Sequence, residues 1–431
     1  MGYSGLAGRR RVGEKTAALG PTPCLWRVDS PSSKPGQSFN DVQGEMAAKF
    51  SNGNGFAYPP LYLRHLAAFR LLDLHPGDEG DRIKCTLRQA IRTTNVRWRR
   101  MCYSALSYTW GTEPAVIPIT VNESTFFVTL NLATALQSLR NRSKFGGKRT
   151  LWVDAICINQ GDANEKNHQV AQMQEIYAGA QEVIVWLGAA DSTIELAISF
   201  IHDLCEHLHE HEIFFGDNVD LENYTAADFG HALEKVTSNL YQRKWCAVVE
   251  MLLKPWWGRV WVIQEVASAR RAILQCGKFN LPWAKMALII EILYSWHPSL
   301  AGGTGLLGDF YDTEDKAILR AANISKVRTL FRLKEIHGFE DLIYISQLTQ
   351  CKDPRDKVYA LLGLAPSNVR TFIQPDYNRS IAWTFAIVIK AHVHCHENLN
   401  ILDIIQVSVF FKSSNSPGPL YSLYFWVELS W

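Results

Sequence analysis

Leu151-Trp152-Val153-Asp154-Ala155-Ile156-Cys157-Ile158 is the stretch on which the reading of the fold turns. A near-continuous apolar run of this kind suits a strand covered on both faces, and such strands belong to parallel sheets packed between helices. The next segment has helical period. Asp162 and Glu165 stand at capping-box-like spacing, with Asp in place of Ser or Thr. Val170, Met173, Ile176, Tyr177 and Ala180 then fall on one buried stripe. Val183 to Leu187 is the next buried strand, closed by Gly188, and Ser192-x-x-Glu195 opens a further helix with Ile194, Ala197, Ile198, Ile201, Cys205 and Leu208 inward.

The same alternation runs back toward the N-terminus. Asn131 is placed to cap a helix whose stripe is Leu132, Ala135, Leu136 and Leu139. Before it, Ile117–Val121 and Phe126–Val128 read as a hairpin turning at Asn122, with Pro118 confining its first strand to an edge. Phe69–Leu74, Ile83–Leu87 and Tyr103–Tyr108 are earlier strand candidates. Strands alternating with helices imply βα units, so the expected class is α/β: a flavodoxin-like, mostly parallel sheet flanked by helices. From about Ala267 onward, stretches such as Trp283–Leu293 and the tract Asp353–Pro366 predict a mainly helical C-terminal region. The expected organisation is a disordered lead-in over 1–58, a domain over 59–266 with a helical insertion at about 190–254, the helical region over 267–412, and an atypical tail over 413–431.

Composition narrows the function classes. Hydrophobic residues make up 47% of the chain, enough for a sizeable core, and the net charge is only +2. That near-neutrality argues against nucleic acid as the partner, whose binders carry a strong basic excess. The local cluster Arg88, Arg92, Arg97, Arg99 and Arg100 reads as a solvated loop. The nine cysteines are scattered and never spaced as Cys-x-x-Cys, which is neither a disulfide framework nor a zinc ribbon. No apolar run reaches the roughly 18 residues that span a bilayer, so no membrane role is expected. The opening MGYSGLAGRRR lacks an apolar segment behind its charges, so a secretory signal is not expected and a cytoplasmic protein is. Two histidine groups, His202 with His207, His209 and His211, and His392 with His394 and His396, show no metal-site signature, and no metal is expected.

In open α/β sheets, ligands bind beyond the carboxyl ends of the strands. Ser107, Tyr108 and Trp110 stand there after one strand, and Asp154, Asn159 and Gln160 at the end of another. Trp110 offers a stacking face or a core residue, and Asp154 either orients a ligand or caps a turn. Asn159 and Gln160 are most simply turn and capping groups. Further on, if residues 256–267 are helical, Trp257, Trp261 and Glu265 share roughly one face at i, i+4 and i+8. A carboxylate beside indoles is partly desolvated, which favours its neutral form. The plainer reading of Glu265 is a buried acid paired with Arg259 or another arginine, tying the helix to the sheet.

The segments Tyr103–Gly111, Leu151–Gln160, Gln169-x-x-x-Met173-x-x-Ile176-Tyr177-x-x-Ala180, Val183–Gly188 and Arg259–Glu265 resemble, in this order, the motif blocks of the fungal heterokaryon-incompatibility (HET) domain. Asp353–Leu364 and Pro375-Asp376-Tyr377 resemble the region that usually follows it. Lys166 stands where that family often has Arg, and the tail from about Ser413 departs from the family's continuation. The resemblance implies a role in non-self recognition and programmed cell death, exerted through protein partners or self-assembly.

The block order is also similar, more distantly, to that of TIR domains. That similarity implies a TIR-like site in which Glu265, four residues after Trp261, is the catalytic carboxylate of an NAD glycohydrolase. Ser107, Tyr108, Trp110, Asp154, Asn159 and Trp261 are then its candidate ligand-binding residues. NAD is the substrate and no cofactor is required. The alternative is a non-catalytic signalling module that works by assembly.

Overall fold

The computed structural model describes residues 56–59, 61, 67–92, 102–141, 147–210, 242–296, 313–396, 400–402 and 404. The expected disordered lead-in up to residue 55, Arg97, Arg99 and Arg100, residues 211–241 of the insertion, and the tail from 413 lie outside the described residues.

Among the described residues, nine strands form one sheet. They are β1 (Ala68–Leu74), β2 (Lys84–Ile91), β3 (Ser104–Tyr108), β4 (Ile117–Val121), β5 (Ser124–Val128), β6 (Arg149–Trp152), β7 (Glu182–Trp186), β8 (Ala272–Cys276) and β9 (Phe279–Pro282). Their spatial order is β5-β4-β2-β1-β6-β3-β7-β8-β9. Four consecutive strands, β6, β3, β7 and β8, are mutually parallel, and β2 also pairs parallel with β4. β1 runs antiparallel to β6, and β9 antiparallel to β8. The α/β class therefore holds, in a mixed sheet whose four consecutive parallel strands lie toward the β9 edge.

The helices between the strands are α1 (Leu130–Leu139), the single turn α2 (Asp154–Cys157), α3 (Ala163–Ala171), α4 (Met173–Gly179), α5 (Ser192–Glu210), α6 (Gln242–Leu252) and α7 (Trp261–Ser268). The helical C-terminal region comprises α8 (Trp283–Trp296), α9 (Thr313–Leu333), α10 (Phe339–Ile345), α11 (Asp356–Leu362), α12 (Ser367–Phe372) and α13 (Ile381–His396). Among the described residues, no helix is long and apolar enough to cross a membrane. The cysteines among them form no disulfide.

Several local expectations are corrected. The run from Leu151 does not stay extended. The strand stops at Trp152, and Asp154–Cys157 coil into one turn whose amides at Ile156 and Cys157 return to the Val153 carbonyl. Leu151–Val153 and Ile156–Ile158 are all buried, so the apolar run reports burial and not extension, which periodicity alone cannot separate.

The cap of α1 is Thr129, whose hydroxyl accepts from Leu132 N, while Asn131 turns to Thr109 and Trp186. The single helix expected after Asp162 breaks at Gln172 into α3 and α4. There the side-chain amides of Gln169 and Gln172 both donate to the Ala68 carbonyl. β4 lies inside the sheet, yet Pro118 is still placed as an edge residue. Thr120 N and Asn122 N bond to β2, and Pro118 stands one step before that ladder begins. Arg88 and Arg92 do not sit in a solvated loop. They lie in and just after β2, paired with Asp73 and Glu175.

One buried ion pair ties these pieces together. Arg70 of β1 meets Glu165 of α3 through two parallel bonds of 2.6 and 2.9 Å. The guanidinium also donates to the carbonyls of Pro59 and Cys157 and lies over the Tyr58 ring. Glu165 accepts in addition from Asn159 N at 2.7 Å. It therefore leaves the capping box half made: Asp162 caps α3, but Glu165 does not reach back to it. Both partners are sealed from water, at 1% and 5% exposure. Glu165→Gln leaves the Arg70 charge without its counter-ion. We expect a loss of about 3–5 kcal/mol, the usual cost of breaking a buried pair from one side. Urea unfolding measures it, and a loss under about 1 kcal/mol would mean that the pair does not hold the fold.

Candidate functional site

The carboxyl end of β3 meets α7 through Ser107 and Glu265, and Asp154, just after β6, joins the same neighbourhood through Trp110. Ser107 is the fourth residue of β3, and its side chain faces α7. There its hydroxyl donates to Glu265 Oε2. The same oxygen of Ser107 accepts from the Trp256 indole N–H at 2.8 Å. The Tyr177 hydroxyl, which donates to the Leu106 carbonyl at 3.3 Å, also lies within hydrogen-bonding reach of Glu265. All four side chains are buried, Glu265 at 1% exposure.

Burial dominates the chemistry of Glu265. It pushes the carboxyl up to about 7, against the opposing pull of the Arg259 guanidinium and the Ser107 hydrogen bond. The negative field of Asp154 pushes in the same direction as burial.

Asp154 opens α2, directly after β6. Its Oδ2 accepts from the Trp110 indole at 2.9 Å, and its Oδ1 from Ala155 N at 2.7 Å. It therefore holds the neighbouring amide of its own turn and orients an indole at once. Enclosure by the surrounding protein raises its carboxyl above the usual range, again opposed first by Arg259. The Tyr108 hydroxyl is held well above its ordinary value by burial and by the adjacent Asp154. Arg259 itself donates to the Tyr108 carbonyl. One guanidinium thus acts electrostatically on two carboxyl groups without forming an ion pair with Glu265, in contrast to the simpler expectation of a Glu265–Arg259 pair.

Five of the seven candidate residues are brought into this neighbourhood: Ser107, Tyr108, Trp110, Asp154 and Glu265. Two are not. Asn159 uses its side-chain oxygen to accept from Gly161 N and its backbone N–H on Glu165, a turn role. Trp261 points its indole at Asp356 of α11.

The expected stripe of Trp257, Trp261 and Glu265 also fails, because residues 255–258 form a 3-10 helix and α7 begins only at Trp261. Three residues per turn rather than 3.6 rotates the pair of indoles. Trp256, not Trp257, reaches Ser107, and Trp257 donates to the Met251 carbonyl. Pro255 just ahead of the two tryptophans is the one local signal of that short helix. Tyr177, read only as part of a buried stripe, is the other contributor missed.

Little open space adjoins the pair. Tyr108, Trp110, Gln160 and Leu132 line a cavity of about 30 Å³, room for a water or two. Ser107 and Glu265 do not line it. A wider cleft of about 1180 Å³, edged by Arg82, Arg140, Arg149, Arg271 and Lys278, contains none of the candidate residues.

The C-terminal region is locked onto this face. Gln350 exchanges backbone bonds with Gly258 and Val260 on either side of Arg259. Lys352 donates to the Gly111 carbonyl, and Gly363 N donates to Gln264 beside Glu265. Lys166 sits 3.8 Å from the Tyr377 ring centre, in the field of Asp356 and Asp353. Lys166 thus places a cation between the Tyr377 ring and these two carboxylates. Tyr377 completes the lock by donating to Asp356 at 2.6 Å.

Comparison with known proteins agrees with the resemblance in the motif blocks. Residues 103–265 match the family model described as heterokaryon incompatibility protein (HET). A Neurospora crassa protein, Heterokaryon incompatibility protein 6, OR allele, is 27% identical over 417 residues, which cover 88% of this chain and 60% of that protein. The chain thus matches about 60% of the length of this curated relative. No solved structure matches. The matched stretch, residues 103–265, carries both Ser107 and Glu265, and its similarity is to the heterokaryon-incompatibility domain.

Proposed function

We propose that this chain acts in fungal non-self recognition, as an effector of programmed cell death, and that its HET domain cleaves the nicotinamide–ribose bond of NAD. The observation that carries the reading is Glu265. It is a carboxyl lifted to about 7, held by Ser107 at the carboxyl ends of parallel strands, with Asp154, Tyr108 and Trp110 alongside. Such a group is poised to ionise near neutrality, as a group matched to a catalytic task must be.

The reaction requires little covalent chemistry from the protein. The C–N bond breaks with its electron pair passing to the nicotinamide nitrogen, which neutralises the pyridinium charge. Water adds to the ribose carbon and loses a proton, giving nicotinamide, ADP-ribose and H⁺. The ribose passes through an oxocarbenium-like state, and an ionised carboxylate beside it stabilises that charge.

Glu265 is closed off at rest, and the cavity beside it is far smaller than a dinucleotide. The reading therefore includes an opening step, supplied by assembly with a partner or with further copies of the chain. The same closure favours a second reading: a non-catalytic module in which Glu265 pins α7 to β3 and signalling runs through assembly alone.

Two measurements separate these readings. Purified chain, dilute and crosslinked into assemblies, is incubated with NAD while nicotinamide release is followed. The enzymatic reading expects release from assemblies, loss of at least ~100-fold in Glu265→Gln, and kcat/KM rising with pH to a plateau above about 7. No release in any assembly state removes it.

A pH series of unfolding reports on the carboxyl itself. Its folded value lies above the ordinary 4.5, so the folded state holds the proton more tightly than the unfolded chain. The stability this provides is complete below the unfolded value and is lost as pH rises through about 7. The wild type should lose stability relative to Glu265→Gln across that window. A difference independent of pH would mean that Glu265 titrates normally.

A further inference from the structure

We propose that Glu340, His392 and His396 form a binding site for one divalent transition-metal ion of the zinc type. The site lies in the C-terminal region, outside the matched HET domain, and does not depend on the reading of Glu265. His392 and His396 stand at i and i+4 in the last turns of α13, so both rings leave the same face. The sequence offers no third ligand near them, and the pair alone carries no metal signature. The fold supplies one from 52 positions earlier in the chain: Glu340, in the first turn of α10.

The distances are those of ligands around an ion rather than of groups bonded to each other. One donor atom from each residue lies within 4.8 Å of the others. Glu340 Oε2 is 3.6 Å from His392 Nδ1 and 4.0 Å from His396 Nε2. Both separations are too long for hydrogen bonds. Ligands held about 2.0–2.2 Å from a tetrahedral zinc ion lie roughly 3.3 Å from one another, so small rotations of the three side chains complete the shell. The two rings are already close, 4.7 Å between centres at 31°. His394, between them in sequence, packs on Phe372 instead.

Two further observations point to a ligand. Glu340 Oε2 is buried and has no hydrogen-bond partner, a costly state for a carboxylate oxygen that a cation between it and the imidazoles relieves. The second is Gly338. A Cβ there would fall 2.6 Å from Glu340 Oε1 and Cδ and 2.9 Å from Oε2. The backbone of Gly338 is ordinary extended chain, φ −123 and ψ 144, which any residue adopts. The glycine leaves open the space into which the Glu340 carboxylate folds, and a Cβ there would push that flexible end aside.

The carbonyl end of α13 adds a favourable field for a cation. His392 is buried, while the His396 side chain is 31% exposed. The ion is therefore reachable, and a water can fill the fourth position, as three-ligand zinc sites leave open. Bound there, the ion crosslinks α10 to the end of α13.

The test uses the full chain, stripped with chelator, dialysed and titrated with Zn²⁺ by calorimetry. We expect an equivalent that is weakened at least ~100-fold in His396→Ala and in Glu340→Gln, and ~10-fold or more in Gly338→Ala, which keeps all three ligands. Zn²⁺ should raise the thermal midpoint of the wild type and not of His396→Ala, a change at a partly exposed side chain. Co²⁺ in place of Zn²⁺ should give d–d bands without thiolate charge transfer, which separates this site from the cysteines. Equal stoichiometry and affinity in wild type, His396→Ala and Glu340→Gln overturn the proposal. So does a cobalt spectrum dominated by thiolate bands.

Discussion

The bidentate contact between Arg70 and Glu165 is the constraint on which the candidate site rests. Two charges leave water there, a loss that only near-ideal geometry and additional hydrogen bonds offset. Both conditions are met. The guanidinium is shared among the Glu165 carboxylate and the carbonyls of Pro59 and Cys157, and the carboxylate takes the Asn159 amide besides. Those contacts fix where the α2 turn leaves β6, and so where Asp154 and its indole partner stand relative to β3. A residue in the antiparallel flank of the sheet thereby positions a group at the end of its parallel core.

Charge burial recurs at the site itself with a different solution. Glu265 and Asp154 are not each given a cation. They share the field of Arg259, whose hydrogen bond goes to a backbone carbonyl, and what is left over appears as raised proton affinity. The Ser107 hydroxyl, itself held by the Trp256 indole, donates to the carboxyl and favours its ionised form, while burial favours the neutral one. This is the physical reason a single buried acid can serve either as a brace or as a group waiting for access.

Much of this is legible in the amino-acid sequence. Two of the central parallel strands, Tyr103–Tyr108 and Val183–Leu187, announce themselves as apolar runs. Ser107 and Asp154 fall where a parallel sheet gathers polar groups, and Glu265 is marked by its place four residues after Trp261. The rest is hidden for identifiable reasons. The run from Leu151 is equally apolar in strand and in turn, so the coil at Asp154 leaves no periodic mark. The choice between Trp256 and Trp257 hinges on a 3-10 helix only four residues long. Glu340 and His392 meet only because α10 and α13 pack together, a juxtaposition with no local signature.

The backbone exchange between Gln350 and the residues flanking Arg259 bears on what counts as a transferable piece of this protein. The segment matching the family ends at residue 265, yet its last block is held in register by chain 85 or more positions downstream. Gly363, with Gln174 and Gln264 so close that a Cβ has no room, belongs to the same joint. Upstream, β1 supplies the neighbour of β6 from outside the segment as well. Swapping the motif blocks alone between relatives would graft a surface onto a mismatched seat. The physically interlocked unit therefore runs from β1 to at least the end of α11.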